Sequence, residues 1–518
     1  MSYNVAVLIR ISSPQLFYMY RFSQKILSGL QGFRLFMLLT VSVGHALSTY
    51  ATGIDSLRYN VQTRAAFSSD AHNPFWLVSN LQGLGSPMKN SGYVRAATFK
   101  DIDTDKRFSW GAGVDLVGAW RYPAPFQIHQ LYGEIKYRAF HVLLGSKEMW
   151  CDHNDPRLSS GSLLYSGNAL PIPQLRVGLF DYTAIPGTKN RLSVKAYLAY
   201  GMFTDSNWQK SWAAEGTKHT SDVLFHSKGL WLRFGNIQTF PVTGDVGIEM
   251  ATQFAGTAYK DGKVVHMKHG LKEWIRVLFP SFKTHESFNG NTRSIEGNVV
   301  GQYTFGVNFK PVNANWGLRA YYEHMFEDHS MLTFEYGWKD GLWGLEATLP
   351  PNRFVSKIVY EFLTTKDQAG AVNSDSTDKM PEQVSGRDDY YNHSFYQGWQ
   401  HWGMGIGNPL LISPLFNTDH NIYFHTNRIK GHHFGIAGNP TTEIDYRLLF
   451  SYTQNWGTYD KPLPDVLENF NTLLEINWKP RKLKGWYGGV GIALDGGDML
   501  GKSFGLSITI GKTGLIRF

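Results

Sequence analysis

Several residue types and motifs are scarce in this chain, and each shortage closes a class of explanation. Its 518 residues include one cysteine, Cys151, so no intramolecular disulfide can form and the stapled frameworks of small secreted domains are excluded. A lone thiol beside a histidine, as in Trp150-Cys151-Asp152-His153, is inert far more often than catalytic. Beyond residue 48 no apolar run approaches the ~20 residues of a spanning helix, so membrane residence would have to be as a closed barrel. No cluster of Lys and Arg stands out after Asp55, which argues against nucleic acid as a partner. A P-loop and a Gly-x-Ser-x-Gly elbow are missing, and Gly403-Met-Gly-Ile-Gly-Asn lacks the strand and helix that a phosphate-cradling turn needs. No cofactor and no metal are expected.

Acidic residues are absent before Asp55, whereas Arg10, Arg21, Lys25 and Arg34 precede it. An apolar run from Leu35 to Val43 follows, then the small-residue stretch Gly44-His45-Ala46-Leu47-Ser48. This is the layout of a secretory signal peptide over residues 1–48, with cleavage near Ala46 or Ser48 and Met19 as an alternative start. Without residues 1–54 the formal charge falls from +8 to +4, being 46 basic less 42 acidic groups. Half of the apparent basicity therefore belongs to the leader.

What the remaining sequence has in abundance is alternation. Ile135 and Tyr137 alternate with Glu134 and Lys136; Leu192, Val194, Ala196 and Leu198 with Ser193, Lys195 and Tyr197; Leu318, Ala320 and Tyr322 with Arg319, Tyr321 and Glu323. The same holds for Ile358, Tyr360 and Phe362 against Lys357 and Glu361, for Leu448 and Phe450 against Arg447 and Ser451, and for Leu474, Ile476 and Trp478 against Glu475 and Asn477. Period two with breakers such as Lys479-Pro480 and Asp495-Gly496-Gly497 reads as an all-β chain of half-buried strands. A soluble sandwich and an outer-membrane barrel share this pattern. Export, the absence of a spanning helix, and 15% aromatic residues with Trp338, Trp343, Trp478 and Trp486 near strand ends favour the antiparallel outer-membrane β-barrel. Phe504, Leu506, Ile508 and Ile510 then alternate with Gly505, Ser507 and Thr509 up to Phe518, a last strand similar to the signal read by the barrel assembly machinery.

The expected organisation is a signal peptide (1–48), an N-terminal periplasmic segment with short helices (49–106), and a transmembrane barrel with long extracellular loops (107–518). Asn73-Pro74 reads as a helix start, with an apolar helical face continuing from Val78 to Leu81. Residues 364–389 carry no strand pattern and read as a long extracellular loop.

That loop leads into the most unusual stretch, Gly386 to Pro414. It crowds aromatic, carboxylate, amide and imidazole groups together and adds Gly403, Gly405 and Gly407, which rule out a helix. Sugars stack on aromatic faces while their hydroxyls need directional partners. Asp388, Asp389, Tyr390, Tyr391, Asn392, His393, Trp399, His401, Trp402 and Asn408 are therefore the polysaccharide-binding candidates. Tyr390, Tyr391, Trp399 and Trp402 would stack on sugar or hold the loop, and a packed, hydrogen-bonded plug is the alternative. Asp388, Asp389 and Glu382 are the carboxylates on which a glycosidase pair would draw, but adjacent aspartates on a strand diverge and no second, suitably spaced carboxylate is distinguished by the sequence. Glu323-His324-Met325-Phe326-Glu327-Asp328-His329 is the best metal candidate, but histidines five apart on a strand point to opposite faces.

Five motifs carry a resemblance: Asn73-Pro-Phe-Trp-Leu77, Ser159 to Gln174, Gly247 to Gly256, Tyr321 to Ser330, and Glu335 to Gly341. Together they resemble the capsule assembly Wzi family of outer-membrane proteins, from about Asn73 to Gly514. The resemblance implies an 18-stranded barrel, sealed on the periplasmic side by an N-terminal helical portion, which is short here, and occluded by loops. It also implies a lectin-like, non-enzymatic role in binding or organising capsular polysaccharide at the cell surface, with outer-membrane lipid as the surroundings. A porin or saccharide uptake channel is the second expectation, since lumenal Lys195, Arg319 and Glu361 also suit an aqueous pore. An outer-membrane hydrolase is the third.

Overall fold

The computed structural model describes residues 56–517 apart from 237–238, 281–284, 289–290, 295–296, 328, 333, 335–336, 373–377 and 380–385. The expected signal peptide and the terminal Phe518 lie outside the described residues. Eighteen strands form one sheet. They are β1 (Ser56–Ser68), β2 (Ser91–Lys100), β3 (Phe108–Trp120), β4 (Phe126–Tyr137), β5 (Phe140–Ser146) and β6 (Gln174–Ala184). Next come β7 (Leu192–Met202), β8 (Leu224–Phe234), β9 (Val242–Phe254), β10 (Asn298–Phe309), β11 (Gly317–Phe326) and β12 (Gly341–Thr348). The series ends with β13 (Lys357–Thr364), β14 (Ile429–Gly438), β15 (Ile444–Gly457), β16 (Pro462–Trp478), β17 (Trp486–Gly497) and β18 (Ser503–Arg517). Each pairs antiparallel with its neighbour, and β1 also pairs with β18, from Ser56 opposite Arg517 to Ser68 opposite Gly505. The sheet is a closed barrel. Closure is what hydrocarbon demands, since an unpaired peptide group there costs several kcal/mol. Among the described residues no helix is long and apolar enough to cross a membrane.

The alternation resolves into two faces. On β16, Leu474, Ile476 and Trp478 are exposed on the outside while Asn469, Asn471 and Leu473 are buried in the lumen. Aromatic residues mark both rims, with Tyr137, Phe140, Trp478 and Trp486 at one end and Trp120, Phe126, Trp343 and Phe504 at the other. Such belts sit where hydrocarbon meets headgroups. The first rim carries short turns such as 138–139 and 439–443 together with the two barrel termini; the second carries the loops 69–90, 147–173, 203–223, 255–297 and 365–428. Short turns face the periplasm in such barrels, which makes the second rim extracellular.

Two expectations need correction. Residues 49–106 are not a segment preceding the barrel, because they contain β1 and β2. The outward side of β1 is diluted by Thr63 and Ala65 between Val61 and Phe67, so its alternation is weak in the sequence. The helix read at Asn73 is a single turn, α1 (Phe75–Val78), and it lies on the extracellular side between β1 and β2 rather than sealing the periplasmic end. Asn73 does not cap it; its Nδ2 donates to the carbonyls of Ser86 (3.0 Å) and Met88 (2.8 Å), fixing the return of the loop.

The extracellular loops fold inward. Buried Trp76, Leu163, Phe203, Trp208, Tyr391, Trp399, Leu411 and Phe424 belong to one hydrophobic cluster contributed by four separate loops. The barrel thus has a core of its own inside the lumen.

Candidate functional site

Segment 386–414 is the centre of that plug. Tyr390, Tyr391 and Trp399 are wholly buried and Trp402 nearly so, which leaves no ring face for a sugar. Trp399 Nε1 donates to Leu164 O (2.7 Å), and its ring packs on Tyr165 and Phe225. Tyr391 Oη donates to Leu163 O and accepts from the Asn408 amide (2.9 Å). Trp402 Nε1 reaches Thr204 Oγ1 at 3.1 Å, and its backbone N–H donates to Asp205 (3.0 Å). His401 donates from Nδ1 to Leu170 O (2.8 Å) and accepts at Nε2 from Thr204, and burial lowers its pKa, so the ring is neutral. Asn408 holds Ser160 and Gly161, and Asn392 bridges to Phe424. The glycines permit this closeness: a Cβ at Gly407 would meet Tyr391 Oη at 2.0 Å, and one at Gly403, whose φ is +79°, would meet Trp208 at 2.6 Å.

Of the polysaccharide-binding candidates, Tyr391, Asn392, Trp399, His401, Trp402 and Asn408 direct their polar groups at one another and at the neighbouring loops, and Asp388 and Tyr390 are buried beside them, an arrangement that matches the plug alternative. Asp389 and His393 remain half-buried at the outer edge. Asp389 accepts from Asn392, Asn427 and Tyr423 at 3.0, 2.5 and 3.2 Å. Desolvation outweighs these bonds and raises its pKa.

Loop 147–173 crosses the lumen beneath the plug and is tied to the wall along its length. Asp152 pairs with Lys195 on β7, His153 sits 3.5 Å from Asp245 on β9, Asp155 pairs with Lys357 on β13, and Arg157 with Asp445 on β15. Two lumenal glutamates take its backbone. Glu323 accepts from the Leu163 amide (2.8 Å) and Ser162 Oγ (3.0 Å); Glu361 accepts from the Ser160 amide (2.7 Å) and Ser159 Oγ (2.6 Å). The metal candidate at 323–329 separates as strand geometry requires. Glu323 faces the lumen, whereas His324 Nε2 lies 3.1 Å from Met331 O outside, and the His329 side chain is outside the described residues. Asp115, His129 and Glu148 do converge, but the Arg95 guanidinium bonds both carboxylates at 2.5–3.0 Å and fills the position a cation would take. Burial pushes the Cys151 thiol up, in keeping with an inert cysteine.

Two places remain open. At the outer mouth, the turn 417–425 is held by Asn417 donating to Asn421 O and Tyr423 O, and it presents His420 against Trp212 (4.9 Å), with Tyr423, His425 and Asp419 beside them. On the periplasmic side of loop 147–173 lie cavities of about 290 and 660 Å³ that share Glu134, Lys147, Glu148 and Trp150. In the smaller one Arg176 stacks on Tyr197 (3.4 Å) and Arg233 on Tyr182 (3.5 Å), neither with a carboxylate partner among the described ion pairs. The sequence signal for this cavity was a polar strand face mixing Trp231 with Arg233 on β8. Its significance depended on knowing which strands adjoin.

Lys218, on loop 203–223, is buried beside the outer edge of the plug and donates to His393 O. Burial and Lys260 lower its pKa to about 7 while Asp389 opposes them. An unfolded lysine, near 10.5, holds its proton throughout the window between those values, so plug stability rises with pH from about 7 upward. Thermal melting in detergent should show a plug transition higher at pH 9 than at pH 6, with the dependence flattened in Lys218→Met; a flat wild-type profile would contradict the burial of this amine.

No family model matches the chain, and no curated protein does. Among solved structures it is similar to Wzi, an outer-membrane protein involved in group 1 capsule assembly in Escherichia coli and described as a carbohydrate-binding β-barrel, at 11% identity and a TM-score of 0.54, over 92% of this chain and 87% of that one. It is also similar to OccAB2 of Acinetobacter baumannii (9% identity, TM-score 0.46, 90% and 100% covered) and OccD3 of Pseudomonas aeruginosa (10%, 0.44, 89% and 91%). These likenesses concern the fold: the chain is an outer-membrane β-barrel protein.

Proposed function

We propose that this protein binds or organises capsular polysaccharide at the cell surface without catalysis, as a member of the capsule assembly Wzi type. The observation that carries the reading is the plug: loops 147–173 and 365–428 fill the outer lumen with a hydrogen-bonded hydrophobic core, which suits a platform better than a diffusion pore. The likeness to a carbohydrate-binding barrel is consistent with it. Sugar contact moves from the buried aromatics to the outer mouth, where Trp212, His420 and Tyr423 offer partly exposed rings beside Asp419 and Asp389. Deleting the gene should release capsule into the medium, and the purified barrel should bind its own cell's capsular polymer. Trp212→Ala and Tyr423→Ala should each weaken that binding roughly fivefold, the value of ~1 kcal/mol for one stacked ring. Normal surface retention in the deletion strain would refute the proposal.

The second reading is a solute channel, favoured by the periplasm-facing cavity lined by the guanidinium groups of Arg176 and Arg233. Steady single-channel currents in planar bilayers, reduced by Arg176→Gln or Arg233→Gln, would establish it instead.

A further inference from the structure

Loop 203–223 carries the helix α2 (Ser206–Trp212), whose Trp208 packs in the plug, whereas loop 255–297 carries a helix, α3 (Leu271–Leu278), that does not join it. Trp274 packs on Tyr200 (4.9 Å) and Phe254 (5.5 Å), and Val277 is buried with Met202 and Leu224. Strand parity places these partners on the outer wall. Tyr200 shares the side of Leu192, Val194 and Leu198 on β7, opposite lumenal Lys195 and Tyr197; Phe254 shares the side of lipid-facing Val246 on β9. Lys228, on the same face of β8 as Leu230, donates to the carbonyls of Val277 and Leu278 and so caps the helix from outside. The helix therefore lies against the exterior of the barrel, at the extracellular ends of β7, β8 and β9.

One apolar side of α3 is spent on that wall, yet a second is not. Leu271, Ile275 and Phe279 are 57, 55 and 76% exposed, in a row spaced four apart. They stand beside the extracellular end of a wall whose outward side carries exposed Leu230 and Val246, the lipid-facing surface of an outer-membrane barrel. Next to this row come Lys272 and Arg276, with Lys268 and His269 just ahead; Glu273, paired with Arg276 at 3.7 Å, is the one acid between Lys268 and Phe279. A helix with an apolar side and a basic side at a membrane rim lies in the interface, acyl chains against the first and anionic headgroups against the second.

We propose that α3 is an interfacial anchor that seats Leu271, Ile275 and Phe279 among the acyl chains of the outer leaflet and meets phosphate of a phosphorylated glycolipid there with Lys268, Lys272 and Arg276. The occupant follows from continuity with the lipid belt and from the excess of basic groups. The anchor is independent of what the outer mouth or the lumen binds.

The full barrel, carrying Cys151→Ser and either Ile275→Cys or Lys272→Cys, is spin-labelled and placed in phosphatidylcholine vesicles containing diphosphoryl lipid A. The label at 275 should relax with oxygen and the label at 272 with a water-soluble nickel chelate. Equal nickel accessibility at both positions overturns the insertion. Unlabelled wild-type protein should also retain diphosphoryl lipid A over its dephosphorylated form through purification, read by mass spectrometry. Lys268→Glu with Lys272→Glu should cut that preference about 25-fold, roughly fivefold for each basic group at an anionic surface. Equal retention of the two lipids by the wild type overturns the phosphate assignment, and needs no variant to fold.

Discussion

Replacing Trp399 with alanine should cost the plug about 3–5 kcal/mol, the range for a fully buried aromatic truncated to a methyl group. The indole is wholly buried, its Nε1 donates to Leu164 O at 2.7 Å, and it lies between Tyr165 and Phe225 at ring distances of 5.8 and 6.3 Å. Those neighbours belong to loop 147–173 and to β8, so collapse around the void would mean moving either the cross-lumen loop or the wall. Calorimetry should show a lowered or lost plug transition ahead of an unchanged barrel transition. Planar bilayers should show intermittent currents that the parent lacks. Trp399→Phe, which keeps most of the ring but not the N–H, should fall between, at about 1–2 kcal/mol. Identical melting of all three proteins would mean that the plug is held elsewhere.

Glu361→Ala should have the second largest effect, by a different route. One carboxylate receives the Ser160 amide, the Ser159 hydroxyl and the Tyr321 hydroxyl, and all of these donors are buried. Leaving a buried donor unsatisfied costs about 1–3 kcal/mol, so several kcal/mol are at stake in one substitution. Hydrogen exchange should report it locally, with amides 159–164 losing protection while those of β13 and β14 keep theirs. Glu361→Gln retains an acceptor oxygen and should lose much less. If protection at Ser160 is the same in Glu361→Ala as in the parent, the bond does not hold the loop.

The barrel was legible because its signal repeats. Leu474, Ile476 and Trp478 against Glu475 and Asn477 is a local pattern, and a strand needs only that to declare which side is wet. β1 was not legible for the same reason turned round, since Thr63 and Ala65 blur its apolar side and its partner, β18, lies more than four hundred residues away. The candidate segment shows the limit more sharply. Aromatic, carboxylate and amide groups are the inventory of a sugar site and equally of a hydrogen-bonded interior, and composition cannot tell which of the two surrounds Trp399. What decides is the return of loop 147–173 under it, and that path is set by Glu323, Glu361 and the ion pairs of Asp152, Asp155 and Arg157, none of which is near position 399 in the sequence. The glycines did carry usable information. They excluded a helix, and the space that Gly407 leaves by having no side chain is occupied by Tyr391 Oη.

The attachments of loop 147–173 to β7, β9, β13 and β15 have a mechanical meaning. A hollow cylinder of hydrogen-bonded strands flattens easily, because its ladders hinge without breaking, and a lateral pull at one rim would turn its round section into an oval. A tie running across the bore and bolted to widely separated staves resists that deformation, since ovalising the section must now stretch the pairs that Asp152, Asp155 and Arg157 make with the wall and the buried bonds of Glu323 and Glu361 to the loop backbone. A tug on a long polymer gripped at the mouth would then be shared around the whole circumference instead of being borne by the two or three strands nearest the load.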